Sequence, residues 1–218
     1  MLGDSNIVNP AFFAQIEDAL LSKGYPMPSL CLLPTWWHDN QNELFVYDAS
    51  GKLLCTQKKQ IPYIYKDETG KMFAEHLVNT KNVIHIIHIP NVGRVAFPIC
   101  KDLLEEEYIR IMLRQLRATF LLCPSYSSSK TQFDLTAPGS IQYGCYTIWC
   151  NTCAAYHKDE IPSHIGLVSG PQGLPEMTEY LLPKCDGDCG SEEEPCVFIA
   201  EISMDHTATI TTRHYGKE

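Results

Sequence analysis

The apolar side chains change their spacing at Cys100, and this change constrains the fold more than any other feature of the sequence. Residues 94–99 form a short, mostly apolar run of the kind that builds a buried strand. After Cys100 the apolar residues recur about every 3.6 positions, which predicts a helix with one apolar face formed by Leu104, Tyr108, Ile111, Met112 and Leu116. A strand that runs directly into a helix indicates an α/β fold.

Further elements flank this junction. Asn9 and Pro10 suit the start of a helix that extends to Leu20. Hairpins are predicted for residues 43–57 and 83–99, because turn residues separate two apolar runs in each. The remaining predicted elements are strands at 29–33, 119–123, 150–156 and 196–202, a helix at 141–149, and an acidic, glycine-rich surface loop at 184–195. Together they predict one domain over residues 1–218, a mixed α/β fold in which helices cover the outside of the sheets.

Composition excludes several classes of protein. The chain has 218 residues, and its 17 Lys and Arg against 26 Asp and Glu give a net charge of −9, which disfavours binding to nucleic acid. The sequence lacks a run of about 18 apolar residues, so we expect no contact with a membrane. Residues 1–9 have neither the basic start nor the apolar core of a signal peptide, which favours a cytoplasmic protein. Its 10 cysteines are then expected to be reduced thiols.

The position of Cys100 suits nucleophilic chemistry. At a strand-to-helix junction the first helical N–H groups point towards the group that the side chain faces. They would lower the pKa of a thiol there and stabilise an oxyanion formed on its substrate. The alternative is that Cys100 is one of several buried cysteines that only pack.

The segment 93–103, followed by Glu107 and Arg110, resembles the nucleophile segment of the carbon–nitrogen hydrolase (nitrilase) superfamily. That family has a glycine-led strand, then Ile-Cys-x-Asp-Leu, then a Glu and an Arg at this spacing. The resemblance implies a four-layer α-β-β-α sandwich and a nucleophile at Cys100. It also implies that the backbone N–H of Lys101 contacts the substrate as an oxyanion donor. The usual first strand of the family has no counterpart in this sequence.

The catalytic lysine of the family has two candidates. Residues 51–62 resemble the signature in which a hairpin ends in a lysine followed by x-x-[Leu/Ile]-Pro. Counting back from Ile61 and Pro62 favours Lys58, and counting forward from Gly51 favours Lys59. We take Lys58. Its ammonium group would stabilise the thiolate and the oxyanion.

The resemblance also implies two carboxylates. Family members carry a general-base Glu after their first strand, and Asp4 is the residue that lies at the corresponding distance before the helix that Asn9 begins. A second family carboxylate follows the lysine by about ten residues. Glu68 is the nearest candidate for this second position, which would contact the substrate, and Glu75 follows it.

Weaker resemblances extend over residues 20–202. Residues 118–125 are similar to the family strand Gly-Ala-Asp-Leu-Leu-x-x-Pro, and residues 164–173 to its Gly-x-Ser-x-x-x-x-Pro-x-Gly turn. Residues 144–156, with Asn151, resemble its Ala-x-Glu-Asn segment, except that Cys150 stands at the Glu position. The family commonly pairs through these helices and strands, which implies a homodimer or another partner that covers the short N-terminal edge.

Three functions remain open on the sequence. The first is a hydrolase that attacks a non-peptide amide or a nitrile, forms a thioester on Cys100 and needs no cofactor or metal. The second is a protein of the same fold that serves as a sensor, scaffold or appended domain without turnover. The third is a small zinc-binding interaction protein built on Cys185, Cys189 and Cys196.

Overall fold

Two β-sheets and a set of short helical turns make up most of the described chain. The structure, a computed structural model, describes residues 18, 22, 30–32, 36–38, 41–67, 69–78, 82–127, 131–151, 166–171, 196–202 and 208–214. Its strands are β1 (Leu30–Leu32), β2 (Trp36–His38), β3 (Gln41–Asp48), β4 (Leu53–Lys58), β5 (Ile64–Lys66), β6 (Met72–Ala74), β7 (Ile86–Ile89), β8 (Gly93–Ala96), β9 (Phe120–Pro124), β10 (Tyr146–Cys150), β11 (Gly166–Ser169), β12 (Cys196–Ile202) and β13 (Ala208–His214).

The helical segments are short. They are a 3-10 turn (Cys100–Leu104), helix α1 (Glu106–Arg110), a π-helical turn (Ile111–Gln115), helix α2 (Thr131–Thr136) and a second 3-10 segment (Ala137–Tyr143). The predicted helix at residues 10–20 lies outside the described residues except for Asp18, which is helical and exposed.

The first sheet is antiparallel and is built around β3. Strands β1 and β2 both pair with β3, and so does β4, through the tight turn at Gly51. Gly51 has φ of 77°, and Asp48 accepts hydrogen bonds from the turn residues Ser50 and Lys52. The hairpin predicted at 43–57 is therefore confirmed. The separate pair β5 and β6 extends the chain beyond β4 as a short antiparallel ribbon.

The second sheet mixes strand directions in the order β11-β10-β9-β8-β7. The outer pairs are antiparallel, whereas β8–β9 and β9–β10 are parallel. The parallel connections carry the helical segments, as expected when a strand must return to the same edge of a sheet. Strand β8 lies between β7 and β9 and leads, through extended residues 97–99, to the turn at Cys100.

Two apolar clusters show how these parts pack. One joins Leu44 and Val46 of the first sheet to Val95, Phe97 and Ile99 of the second, so the sheets contact each other face to face. The other cluster lies on the opposite face of the second sheet and includes Leu103, Tyr108, Met112, Phe133 and Trp149. The helical segments thus cover one face of the second sheet. This arrangement confirms the mixed α/β fold.

The structure corrects two predictions of secondary structure. The helix expected at 141–149 is wrong beyond Tyr143, because Tyr146–Cys150 forms β10 and pairs in parallel with β9. The long helix expected after Cys100 is divided into the 3-10 turn, α1 and the π-helical turn. In both places apolar residues spaced for one helix face also fit the faces of shorter elements, so spacing alone does not separate the two.

Candidate active site

Cys100 lies at a strained turn between β8 and the helical segments. Its φ is 50°, a left-handed conformation that costs free energy for a residue with a Cβ. The side chain is half-buried and contacts both apolar clusters, so it stands where the two sheets and the helical layer meet. The sequence predicted this junction. The backbone N–H of Lys101 is in the first turn of the 3-10 helix, where N–H groups lack an acceptor within the helix.

The two candidate lysines lie on opposite faces of the first sheet. Side chains alternate along β4 and its continuation, so Gln57 and Lys59 are buried whereas Lys58 is exposed. The Lys58 ammonium lies 3.2 Å from Glu43 on the neighbouring strand, and 48% of its side chain is exposed. The Lys59 side chain is only 3% exposed and forms an ion pair with Glu75. The buried lysine on the face towards the second sheet is therefore Lys59, the alternative to the Lys58 prediction.

Glu75 is held in place by the β5–β6 ribbon. One of its oxygens, Oε2, accepts a hydrogen bond from the backbone N–H of Tyr63 at 2.9 Å, in addition to the Lys59 ammonium. The backbone N–H of Glu75 donates to the carbonyl of Tyr63 at 2.8 Å. These bonds close the ribbon at its base. They fix the carboxylate that forms the ion pair with Lys59.

Asp102 connects the cysteine turn to the lysine segment. Its side chain is fully buried, and Oδ1 accepts hydrogen bonds from the backbone N–H groups of Gln60 at 3.0 Å and Ile61 at 2.7 Å. The second oxygen, Oδ2, accepts one from Ile99 at 3.1 Å. Burial raises the pKa of Asp102 to about 6, although these hydrogen bonds and the charge of Lys59 act in the opposite direction. Asp102 belongs to the Ile-Cys-x-Asp-Leu motif, which by itself indicates no role for this residue.

Polar contacts join the cysteine turn to the second sheet. The thiol of Cys123 lies 3.8 Å from the carbonyl oxygen of Cys100, and burial raises the pKa of this thiol well above its usual value. Ser125 contacts the same sulfur at 3.6 Å and accepts a hydrogen bond from the indole of Trp149 at 2.9 Å. Asn151 exchanges two hydrogen bonds with Ser127 and so fixes the loop after β9. These contacts connect the turn, β9, β10 and the loop after β9.

Several predicted site residues lie outside the described part of the chain. They are Asp4, the candidate general base; Glu68, the first candidate for the second carboxylate; and the cysteines Cys185 and Cys189 of the possible zinc site. Among the described residues, no group of three or more His, Cys, Asp or Glu side chains could hold a metal ion. Within the same residues, no helix has the length and apolar character needed to cross a membrane.

Comparison with solved structures identifies the fold. A cysteine-to-alanine mutant of the Nesterenkonia AN1 amidase from the nitrilase superfamily matches with a TM-score of 0.53 and 16% identity over 79% of this chain and 63% of that chain. The C. elegans NitFhit protein matches with a TM-score of 0.54 and 18% identity over 73% and 40%. A glutamate-to-glutamine mutant of the Nesterenkonia amidase, with the acetamide moiety of fluoroacetamide added at its active-site cysteine, matches at 0.51 and 16% over 74% and 59%.

The chain therefore has the fold of the carbon–nitrogen hydrolase (nitrilase) superfamily, as the resemblance implied. It spans 40–63% of the length of these solved structures. No protein-family model matches the sequence, and no curated protein sequence matches it either.

Proposed function

We propose that this chain carries a cysteine-dependent hydrolase site for a non-peptide carbon–nitrogen bond, in an amide or a nitrile. The observation that carries the proposal is the meeting of the strained Cys100 turn with the Lys59 segment through the carboxylate of Asp102. Acyl transfer needs a nucleophilic thiol and donors that stabilise the oxyanion. Here the thiol is Cys100, and the donors are the Lys101 N–H in the first turn of the helix and the buried ammonium of Lys59. The Nesterenkonia amidase structure with an acetamide adduct supports the same chemistry.

In the proposed reaction the Cys100 thiolate attacks the carbonyl carbon of the amide. The negative charge that forms on the oxygen is held by the Lys101 N–H and by the ammonium of Lys59, which replaces Lys58 in this role. The C–N bond then breaks, the amine leaves with the proton that the general base took from the thiol, and a thioester remains on Cys100. Water attacks the thioester carbon, which releases the acid and restores the thiol. Glu75 holds the Lys59 ammonium through their ion pair and takes the place of Glu68 as the second carboxylate, and Asp4 remains the proposed general base.

Intact-mass spectrometry with a panel of small amides and nitriles tests this function. We expect a transient mass increase equal to the acyl group, located on Cys100, together with release of acid and ammonia or amine. The Cys100→Ala variant should show neither. Product release that persists in Cys100→Ala would refute the mechanism, because no other described cysteine lies at this turn.

The same experiment separates the second candidate function. Cys150 stands where the family carries a Glu, and the structure places this residue at the end of β10. A protein that acylates on Cys100 and never releases the acid would be a sensor or scaffold rather than a hydrolase. The family resemblance also predicts a four-layer sandwich and a homodimer, and the composition of residues 1–9 favours a cytoplasmic location. Sedimentation of the purified chain tests the dimer, and fluorescence microscopy of the tagged protein tests the location.

A further inference from the structure

One buried carboxylate binds backbone from both sides of the candidate site. Asp102 follows Cys100 by two residues. One of its oxygens accepts a hydrogen bond from the backbone N–H of Ile99, the residue that precedes Cys100. Its other oxygen accepts from Gln60 and Ile61, the two residues that follow Lys59. More than 40 positions of sequence separate Asp102 from these two residues, so the contact is tertiary and not a local cap.

The Lys59 backbone is thereby held from two directions. Its own N–H donates to the carbonyl of Asn42 on β3 at 2.8 Å, which fixes the residue on the first sheet. The next two N–H groups are bound by Asp102, which belongs to the helical turn of the second sheet. The position of the Lys59 side chain relative to Cys100 therefore depends on one carboxylate that joins the two sheets.

A carboxylate suits this position better than its neutral isostere. It only accepts hydrogen bonds, so both oxygens can face N–H groups at once. An asparagine would accept from Gln60 and Ile61 through its oxygen but would turn an NH₂ group towards the N–H of Ile99. A buried negative charge is costly unless it is hydrogen-bonded and compensated. Three N–H donors and the charge of Lys59 offset part of this cost.

We propose that Asp102 is a positioning residue that holds the Lys59 ammonium in register with the Cys100 sulfur by binding the backbone of both segments. This inference rests on the proposed function, in which Lys59 acts on the thiolate and the oxyanion. It extends that function by assigning how the two groups, which lie on different sheets, keep a fixed distance.

The reactivity of Cys100 towards iodoacetamide tests this role without any turnover. The rate of alkylation of Cys100 is measured by peptide mass spectrometry from about pH 6.5 to about pH 10, a range over which thiols near their usual pKa ionise. Other charged or titratable groups around Asp102 are Lys59, Tyr108 and Cys123. Asp102→Asn leaves these three groups unchanged, and only Lys59→Gln alters one of them.

The midpoint of alkylation is the pH at which the rate reaches half of its maximum. The direction in which Asp102→Asn shifts this midpoint distinguishes positioning from a direct effect of charge. Removing a nearby negative charge would by itself favour the thiolate and lower the midpoint of alkylation. Displacing the Lys59 ammonium would raise the midpoint, and we expect a rise of about one pH unit, with alkylation at pH 7 slowed about tenfold. Ser140→Ala removes an equally buried hydrogen-bonding side chain away from the turn and should leave the midpoint unchanged. A midpoint that falls or stays in Asp102→Asn overturns the proposal.

A double variant identifies the group through which Asp102 acts. In Lys59→Gln the ammonium is gone, so adding Asp102→Asn should no longer raise the midpoint. A rise of the same size in both backgrounds would overturn the proposal. If Asp102→Asn does not fold, hydrogen exchange of the wild-type protein provides the test. The backbone amides of Gln60 and Ile61 should be protected from exchange. Exchange at the rate of an open loop would refute the hydrogen bonds from these amides to Asp102, and with them the positioning role.

These readouts remain informative if the chain proves not to hydrolyse amides. A wild-type protein without product release, whose Cys100 midpoint still rises in Asp102→Asn, would refute the hydrolase and retain the positioning role. Product release that is unchanged in Asp102→Asn, with an unchanged midpoint, would retain the hydrolase and refute the positioning role.

Discussion

The side chain of Lys59 forms an ion pair with Glu75 in the interior, while the adjacent Lys58 reaches Glu43 at the surface. The two carboxylates are covered alike, Glu75 being 17% and Glu43 16% exposed, so the pairs differ in their lysines. An exposed pair contributes little to stability because water screens it, whereas a buried ammonium must keep its partner. This contrast gives each experiment on Lys59 or Glu75 a matched control one residue or one strand away.

The first prediction concerns the two lysines. Lys59→Gln should reduce the rate of acid release by about 100-fold or more, because it removes one donor to the oxyanion. Lys58→Gln should change the rate by less than about twofold, since its ammonium is paired in solvent. Steady-state kinetics on one amide substrate compares them. The opposite order of effects would return the catalytic role to Lys58.

The second prediction concerns the partner of Lys59. Glu75→Gln retains an acceptor for the N–H of Tyr63 but removes the negative charge that pairs with the buried ammonium, so the free energy of unfolding should fall by about 2–4 kcal/mol. Glu43→Gln, at the exposed pair, should cost less than about 1 kcal/mol. Urea denaturation measures both.

A double variant provides the check on this interpretation. Glu75→Gln combined with Lys59→Gln should recover part of the lost stability, because the uncompensated charge is gone. Losses that simply add would show that burial of the charge is not the cause.

The third prediction concerns the pH dependence of stability. Burial raises the pKa of Asp102 from 3.8 to about 6 in the folded protein, so the folded state binds this proton more tightly than the unfolded chain. The contribution of Asp102 to stability is therefore complete below about pH 4 and is lost as the pH rises to about 6, with a total on the order of 3 kcal/mol. Asp102→Asn lacks the titrating group.

Urea denaturation of both proteins at several pH values tests this linkage. The free energy of unfolding of the wild type, minus that of Asp102→Asn, should decrease between about pH 4 and about pH 6. A difference that is constant with pH, or that increases, would show that the folded-state pKa is not raised.

The fourth prediction concerns three glycines that differ in backbone conformation and in the space around them. Gly93 has φ of 135°, and a Cβ there would lie 2.1 Å from Oγ1 of Thr119. Gly144 has φ of 67° but open space around it, and Gly139 has open space without a positive φ. Substitution by Ala should cost about 3 kcal/mol or more at Gly93, about 1–2 at Gly144 and little at Gly139.

Thermal denaturation gives the order of the three variants. Gly93 differs from Gly144 both in the contact with Thr119 and in a φ that other residues adopt less readily, so both differences raise the cost at Gly93. A loss at Gly93 no larger than the loss at Gly144 would show that Thr119 moves aside freely. Thr119 Oγ1 accepts the N–H of Arg94 at 2.8 Å, which opposes such a movement.

Local patterns identified much of the fold. The hairpin around Gly51, the strand before Cys100 and the helical turn after it depend on turn residues and on apolar spacing over about ten positions, and the structure contains all three. The strand Tyr146–Cys150 falls largely within the helix predicted at 141–149, because its apolar residues fit both the helical period of about 3.6 and the strand period of about 2. Pairing with β9, which lies more than 20 residues away, decides its state.

The sequence by itself determined the turn at Cys100, because a change from strand to helix is written in consecutive residues. Only the tertiary structure decided which lysine is buried, since Lys58 and Lys59 are adjacent and equal in charge. Strand alternation within the first sheet buries one and exposes the other, and the register follows from pairing with β3. The role of Asp102 likewise depends on backbone N–H groups that approach it only when the two sheets pack.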